Sequence, residues 1–198
     1  MVIQLNESAL GAHLRWSVKW DLERGRANWL KAPNGTGKTS LFEEIKVQWQ
    51  TIGTGRLGFV DQASLVPFHD LTVAQLFDVL WDVASERCLF QSWQRADFWD
   101  PESRDLWDRK VGLLSGGENQ WIKILMMLSL KSEVWLLDEP FQFLDGGRTQ
   151  RLLRYLVDWL AQGGVLILSH HGAELPLPFK AWELSRLSSG ALSVGEIP

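Results

Sequence analysis

The segment Ala32-Pro-Asn-Gly-Thr-Gly-Lys-Thr39 constrains this chain more than any other part of it. It follows a short strand, Ala27–Lys31, and leads into a helix running from about Lys38 to Trp49. A strand, a glycine-rich turn and a helix in that order are the context of the phosphate-binding pattern G-x-x-x-x-G-K-[ST]. Backbone N–H groups of Gly35, Thr36 and Gly37, with the positive end of the helix, would cradle phosphate oxygens. Lys38 would neutralise the β and γ phosphates of a nucleotide, and Thr39 would offer its hydroxyl to Mg²⁺. Ala32 stands where the pattern has glycine, which is harmless only if its φ stays negative.

The rest of the chain reads as strands alternating with helices. Residues 14–22 alternate, with Trp16, Val18, Trp20 and Leu22 on one face and Ser17, Lys19 and Asp21 on the other. That pattern predicts a half-buried, antiparallel strand. Further strands are expected at Leu57–Val60, Val134–Asp138 and Val165–Leu168, and a small C-terminal hairpin at Ala181–Leu184 and Ala191–Val194. Thr72-x-x-Gln75 is a capping box for a helix over Val73–Ala84, and Asp100-Pro101 is an N-cap followed by proline. Ser115-x-x-Glu118 caps a very apolar helix from Gly116 to about Leu130, and Gly147–Ala161 forms another. Continuous apolar strands between helices argue for an α/β sheet covered on both faces. The helical middle is a candidate subdomain inserted into it.

Composition narrows the class. The chain has 198 residues, enough for one domain with a full core, and a net charge of −4 with no basic block. Electrostatic capture of nucleic acid is therefore disfavoured, and no nucleic-acid partner is expected. A single cysteine, Cys88, excludes an intrachain disulfide and fits a reducing compartment. The apolar runs are too short to span a bilayer, and the N-terminus lacks the pattern of a signal peptide. The expectation is a soluble cytoplasmic domain. Twelve tryptophans stand against one tyrosine, and Trp81, Trp93, Trp99 and Trp107 cluster. Two readings stay open for that cluster, bulky core filling and an aromatic docking surface.

Two more segments carry chemistry. Val134-Trp-Leu-Leu-Asp138-Glu139 is an apolar strand ending in adjacent carboxylates, and parallel sheets collect ligands at the carboxyl ends of their strands. Asp138 can then hold the Mg²⁺ hydration shell, and Glu139 can orient or deprotonate a water attacking the γ-phosphate. In Leu114-Ser-Gly-Gly-Glu118, Ser115, Gly116 and Gly117 start a helix and offer a second anion site.

Taken in order, these motifs resemble the nucleotide-binding subunit of an ATP-binding cassette (ABC) ATPase. The chain shows a Walker A loop at Ala32–Thr39, a Q-loop glutamine, Gln62, in Gly-Phe-Val-Asp-Gln, and the signature Leu114–Glu118. Walker B follows at Val134–Glu139, a D-loop at Phe143-Leu-Asp145, and a switch histidine at His170 in Leu-Ile-Leu-Ser-His. The strand-end register favours His170 over the adjacent His171.

The resemblance implies an ABC-type P-loop core, with a mixed sheet flanked by helices and an N-terminal antiparallel β element. The core would be 1–62 and 132–198, and the helical subdomain about 63–131, within one domain over 1–198. Asn34, Gly35, Thr36, Gly37, Lys38, Thr39 and Ser40 would bind ATP. Thr39, Gln62 and Asp138 would hold Mg²⁺, and Lys38, Gln62, Glu139 and His170 would serve hydrolysis. Ser115, Gly116, Gly117 and Asp145 would act at the interface with a second ABC subunit, in a homodimer or heterodimer packed head to tail. Transmembrane permease subunits would be separate chains, which places this one on the cytoplasmic face of the inner or plasma membrane. The alternative is a soluble ABC ATPase serving assembly, nucleic acid or ribosomes. Three departures stand out: only 24 positions separate Lys38 from Gln62, the signature ends in Glu118 instead of glutamine, and the first 13 residues hold no Trp, Tyr or Phe to stack on adenine. No further C-terminal domain is expected.

Overall fold

The computed structural model describes residues 1–5, 15–52, 56–62, 65–84, 101–130, 132–172 and 174–197. They fall into two compact units.

The first unit is 1–61 with 132–140 and 150–198. Its main sheet has six strands: β3 (Ala27–Lys31), β4 (Leu57–Val60), β5 (Val134–Asp138), β6 (Val165–Ser169), β7 (Phe179–Arg186) and β8 (Leu192–Glu196). Their order is β4-β5-β6-β3-β7-β8, with every neighbouring pair parallel except the antiparallel β7-β8 edge. β1 (Val2–Leu5) and β2 (Val18–Asp21) form a separate antiparallel pair. The alternation read in residues 14–22 is real: Trp16, Val18, Trp20 and Leu22 are all buried. β1, which was not anticipated, is the partner that makes that strand antiparallel.

Hydrophobic burial fixes both faces of the main sheet. Helix α1 (Lys38–Ile52) contributes Leu41, Phe42 and Ile45 to a core shared with Leu30, Leu136, Ile167 and Trp182, and with Trp20 of the small sheet. From the residues of alternate orientation, Trp135 stacks on Trp159 of α5 (Gly146–Ala161), with ring centroids 4.4 Å apart. A sheet covered on both faces must be apolar throughout, which explains why β5 and β6 are buried at every position. The C-terminal strands are not a small hairpin of their own. β7 is eight residues long and pairs in parallel with β3, so the hairpin extends the main sheet.

The second unit, 62–131 with 141–149, is helical. It contains α2 (Val73–Ala84), α3 (Pro101–Asp105) and α4 (Gly116–Leu128). The Thr72 hydroxyl accepts from Gln75 N at 3.2 Å and the Gln75 side chain accepts from Thr72 N at 2.9 Å, which closes the expected capping box. Trp121 is fully buried, its Nε1–H donating to Ser103 Oγ at 2.8 Å. Of the tryptophan cluster, Trp93 and Trp99 lie outside the described residues, as does the expected cap Asp100. Trp107 is half-buried against Phe77, with ring centroids 5.4 Å apart.

Candidate functional site

Parallel pairing of β5, β6 and β3 brings three carboxyl ends side by side, because register aligns Asp138 with Ser169 and Leu30 with the same residue. The chain leaving β3 forms the glycine-rich turn. Gly35 and Gly37 have φ of 75° and 109°, values that favour glycine. Among the described residues only Glu139 and Phe143 have positive φ without being glycine, so Ala32 meets its one condition. Asn34 and Gly35 are exposed on the turn, Thr36 caps it through Oγ to Pro33 O at 2.7 Å, and Ser40 is half-buried in the first turn of α1.

Lys38 is buried and curls back over the loop. Its Nζ donates to the carbonyl oxygens of Ala32 at 2.8 Å and Pro33 at 3.2 Å. Burial pulls its pKa below the ordinary lysine value, while Glu139 and Asp138 pull it upward. The ammonium is thus held by weak neutral acceptors, which an incoming phosphate can replace with a charge-assisted partner.

Asp138 is fully buried at the end of β5. Its Oδ2 accepts from Thr39 Oγ1 at 2.8 Å, and its Oδ1 accepts from Ser169 Oγ at 2.6 Å. A hydroxyl and a carboxylate converging this closely suit Mg²⁺, a hard cation that takes few protein oxygens and completes its shell with phosphate and water. Gln62 is exposed, two positions beyond β4.

Glu139 occupies a left-handed conformation, φ 50°, which costs about 1–3 kcal/mol unless its surroundings enforce it. Its backbone N–H donates to Ser169 Oγ at 3.0 Å, and its Oε2 accepts from the His171 backbone N–H at 3.1 Å. His170 Nδ1 lies 3.8 Å from Oε2, and His171 Nε2 lies 3.3 Å from Oε1. Both histidines therefore reach the carboxylate. Burial lowers the His170 pKa from its ordinary 6.5, with Glu139 opposing and His171 reinforcing the shift, so the ring is mostly neutral at pH 7. Trp29 Nε1 donates to the His170 carbonyl oxygen at 3.3 Å and fixes the segment. Ser169, which joins Asp138 to Glu139, was missed in the sequence. The signal was Leu-Ser-His at the end of an apolar run, which acquires meaning only through strand register.

In the helical unit, Ser115 caps α4. Its hydroxyl accepts from Glu118 N at 3.3 Å, and Glu118 Oε2 accepts from Ser115 N at 2.7 Å. Arg109 adds a 2.8 Å bond to Glu118 Oε1. Burial pushes the Glu118 pKa up, but the Ser115 and Arg109 bonds outweigh it and hold the carboxyl below its ordinary value. Ser115 and Gly116 are exposed, leaving the helix start open to an anion. A Cβ on Gly117 would sit 2.5 Å from the Phe143 carbonyl oxygen, so only glycine permits that approach. Asp145 accepts from Arg148 N at 2.8 Å and pairs with its guanidinium at 3.4 Å.

This arrangement has counterparts among known proteins. Residues 16–142 match the family model described as ABC transporter. The cytochrome c biogenesis ATP-binding export protein CcmA of Sphingopyxis alaskensis is 27% identical over 187 residues, covering 87% of each chain. CcmA of Maricaulis maris is 31% identical over 167 residues, 76% of this chain and 75% of that one. A solved structure of the ATP binding subunit of an ABC transporter superposes with a TM-score of 0.78 at 16% identity, over 99% of this chain and 89% of that one. A longer solved chain, RNase-L Inhibitor, superposes with a TM-score of 0.66 at 18% identity, over 98% of this chain but 38% of its own length. The chain belongs to the ABC transporter family and is one of its ATP-binding ATPases.

Proposed function

We propose that this chain is the ATP-hydrolysing subunit of an export complex of the CcmA kind, and that it works as a head-to-tail dimer on separate transmembrane permease subunits. The observation that carries the reading is the chain of contacts Thr39–Asp138–Ser169–Glu139 beside the buried Lys38. In this reading, a phosphate cradle, a cation-holding pair and a hydrolytic carboxylate share the carboxyl ends of neighbouring strands. The similarity to export proteins over most of both chains supports the choice of partner class. No helix among the described residues is long and apolar enough to cross a membrane, which fits a separate permease on whose cytoplasmic face this subunit would sit.

In the proposed reaction, N–H groups of Gly35, Thr36 and Gly37 and the Lys38 ammonium grip the β and γ phosphates, with Asn34 and Ser40 flanking them. Thr39 and Asp138, with Gln62, would hold Mg²⁺, which would neutralise phosphate charge. Glu139 orients the attacking water and takes its proton, while neutral His170 donates toward the γ-phosphate. Ser115, Gly116 and Gly117 of the second subunit close the site from the other side, with Asp145 at the interface.

The test is Glu139→Gln, which keeps shape and removes the base. Turnover is expected to fall about 10²–10⁴-fold with ATP binding retained, because a positioned general base contributes about that factor. An ATP-dependent dimer is expected to accumulate on size-exclusion chromatography. Turnover near wild type would overturn the role of Glu139. Capture from detergent-solubilised membranes should bring down an integral membrane protein. Capture of ribosomes or nucleic acid instead would favour the soluble alternative.

A further inference from the structure

We propose that His171 is a positioning residue for hydrolysis. It holds the Glu139 carboxylate from both sides, with its backbone N–H tied to one oxygen and its ring against the other. This rests on the reading of Glu139 as the hydrolytic carboxylate.

The two oxygens of Glu139 are not equivalent. Oε2 accepts the His171 backbone N–H at 3.1 Å and lies 3.8 Å from His170 Nδ1. Oε1 is shielded from solvent and has no aligned hydrogen-bond donor among the described residues, although His171 Nε2 stands 3.3 Å away. A buried carboxylate oxygen without a donor is costly, so the ring nitrogen beside it matters to how the carboxylate is held. The His171 side chain is 45% exposed while that of Glu139 is 11% exposed, so the ring sits on the solvent side of an oxygen that has no solvent contact. One residue therefore fixes the carboxylate twice, with its N–H on one oxygen and its ring over the other.

That double hold has a mechanical consequence. A carboxylate held by the backbone N–H alone can turn about its last side-chain torsion, which is soft and twofold. A partial turn would break the backbone hydrogen bond and swing the plane of the carboxylate, with the lone pairs a water must meet, out of line. The ring blocks that motion. Its loss should lower the fraction of bound ATP with a productive carboxylate, and so lower kcat. The phosphate grip of Lys38 and the glycine-rich loop, and with it KM, should be untouched.

The experiment measures steady-state ATP hydrolysis by the full chain carrying His171→Leu, His171→Ala and His171→Gln, each also in the Glu139→Gln background. Expected are a roughly 5- to 20-fold fall in kcat for Leu and Ala with KM within about twofold, and substantial recovery with Gln, whose amide nitrogen can stand beside Oε1 as the ring nitrogen does. In the Glu139→Gln background, removing the ring should lower turnover no further, because the ring acts only through the carboxylate. Alanine needs no space, so it gives the same reading if leucine disturbs folding. Unchanged kcat, a loss confined to KM, no recovery with Gln, or an equal further loss in the Glu139→Gln background would each overturn the proposal. Wild-type hydrolysis that Glu139→Gln does not lower would instead overturn the role of Glu139, and the proposal with it.

Discussion

Asp138 has both carboxylate oxygens bonded to hydroxyls, Thr39 on one side and Ser169 on the other, at a position with no solvent exposure. Ser169 is the more consequential partner, since its Oγ also accepts the backbone N–H of the strained Glu139. Replacing it with alanine would leave a buried carboxylate oxygen and a buried N–H unpaired at once. Ser169→Ala should therefore cost about 2–4 kcal/mol of stability, read by urea denaturation, and should lower turnover because Glu139 loses the contact that holds its left-handed backbone. A loss within about 0.5 kcal/mol with unchanged turnover would refute that role. That Lys38, Thr39, Asp138 and Glu139 lie near one another was legible because each belongs to a contiguous motif that can be read locally. Ser169 and His171 were not, because their contacts come from strand register and loop geometry that bring them to residues thirty or more positions away.

At the level of elements, the start of α4 is a small electrostatic device. The Glu118 side chain closes the capping box and pairs with Arg109, and its pKa is lowered from the ordinary 4.5. A carboxyl with a lowered folded pKa adds stability above its unfolded pKa and loses that contribution as pH falls through the folded value. Glu118→Gln should thus cost about 0.5–2 kcal/mol at pH 7, and the gap between wild type and variant should close below pH 4.5. Denaturation of both proteins across that range measures it, and a gap independent of pH would remove the ionised carboxylate from the explanation. Both capping boxes were readable because such a box is a local exchange of two hydrogen bonds at a fixed spacing. The edges of the sheet were less readable. Strand β1 lacks a flanking motif, and the parallel pairing of β7 with β3 is a long-range choice that local alternation does not encode.

For the whole molecule, the decisive question is whether the proposed second anion site, if it acts, serves its own subunit or that of a second copy. The phosphate loop already supplies backbone donors and a lysine, so a further open helix start at Ser115 and Gly116 has a clear use if it closes over the nucleotide of a second copy. The structure selects the variant for testing this. Aspartate at Gly117 would drive a Cβ into the Phe143 carbonyl, whereas a Cβ at Gly116 would meet only the Phe143 ring at 4.0 Å, an ordinary contact. A carboxylate in the first turn is also favourable to a helix, so Gly116→Asp should fold normally while repelling a phosphate. Lys38→Ala removes the cation of the phosphate loop and should abolish productive ATP binding in its own subunit. Each variant alone should be inactive. Mixed one to one, they form dimers in which one site has an intact Lys38 from the Gly116→Asp subunit and an intact Gly116 from the Lys38→Ala subunit, while the other site carries both lesions. Mixing should restore ATP-dependent dimerisation and, if one site suffices, up to about half of wild-type turnover per mixed dimer. Verified mixed dimers showing neither would mean that the signature does not act across subunits, and head-to-tail closure would be lost for this protein while the chemistry of Lys38, Asp138 and Glu139 stood.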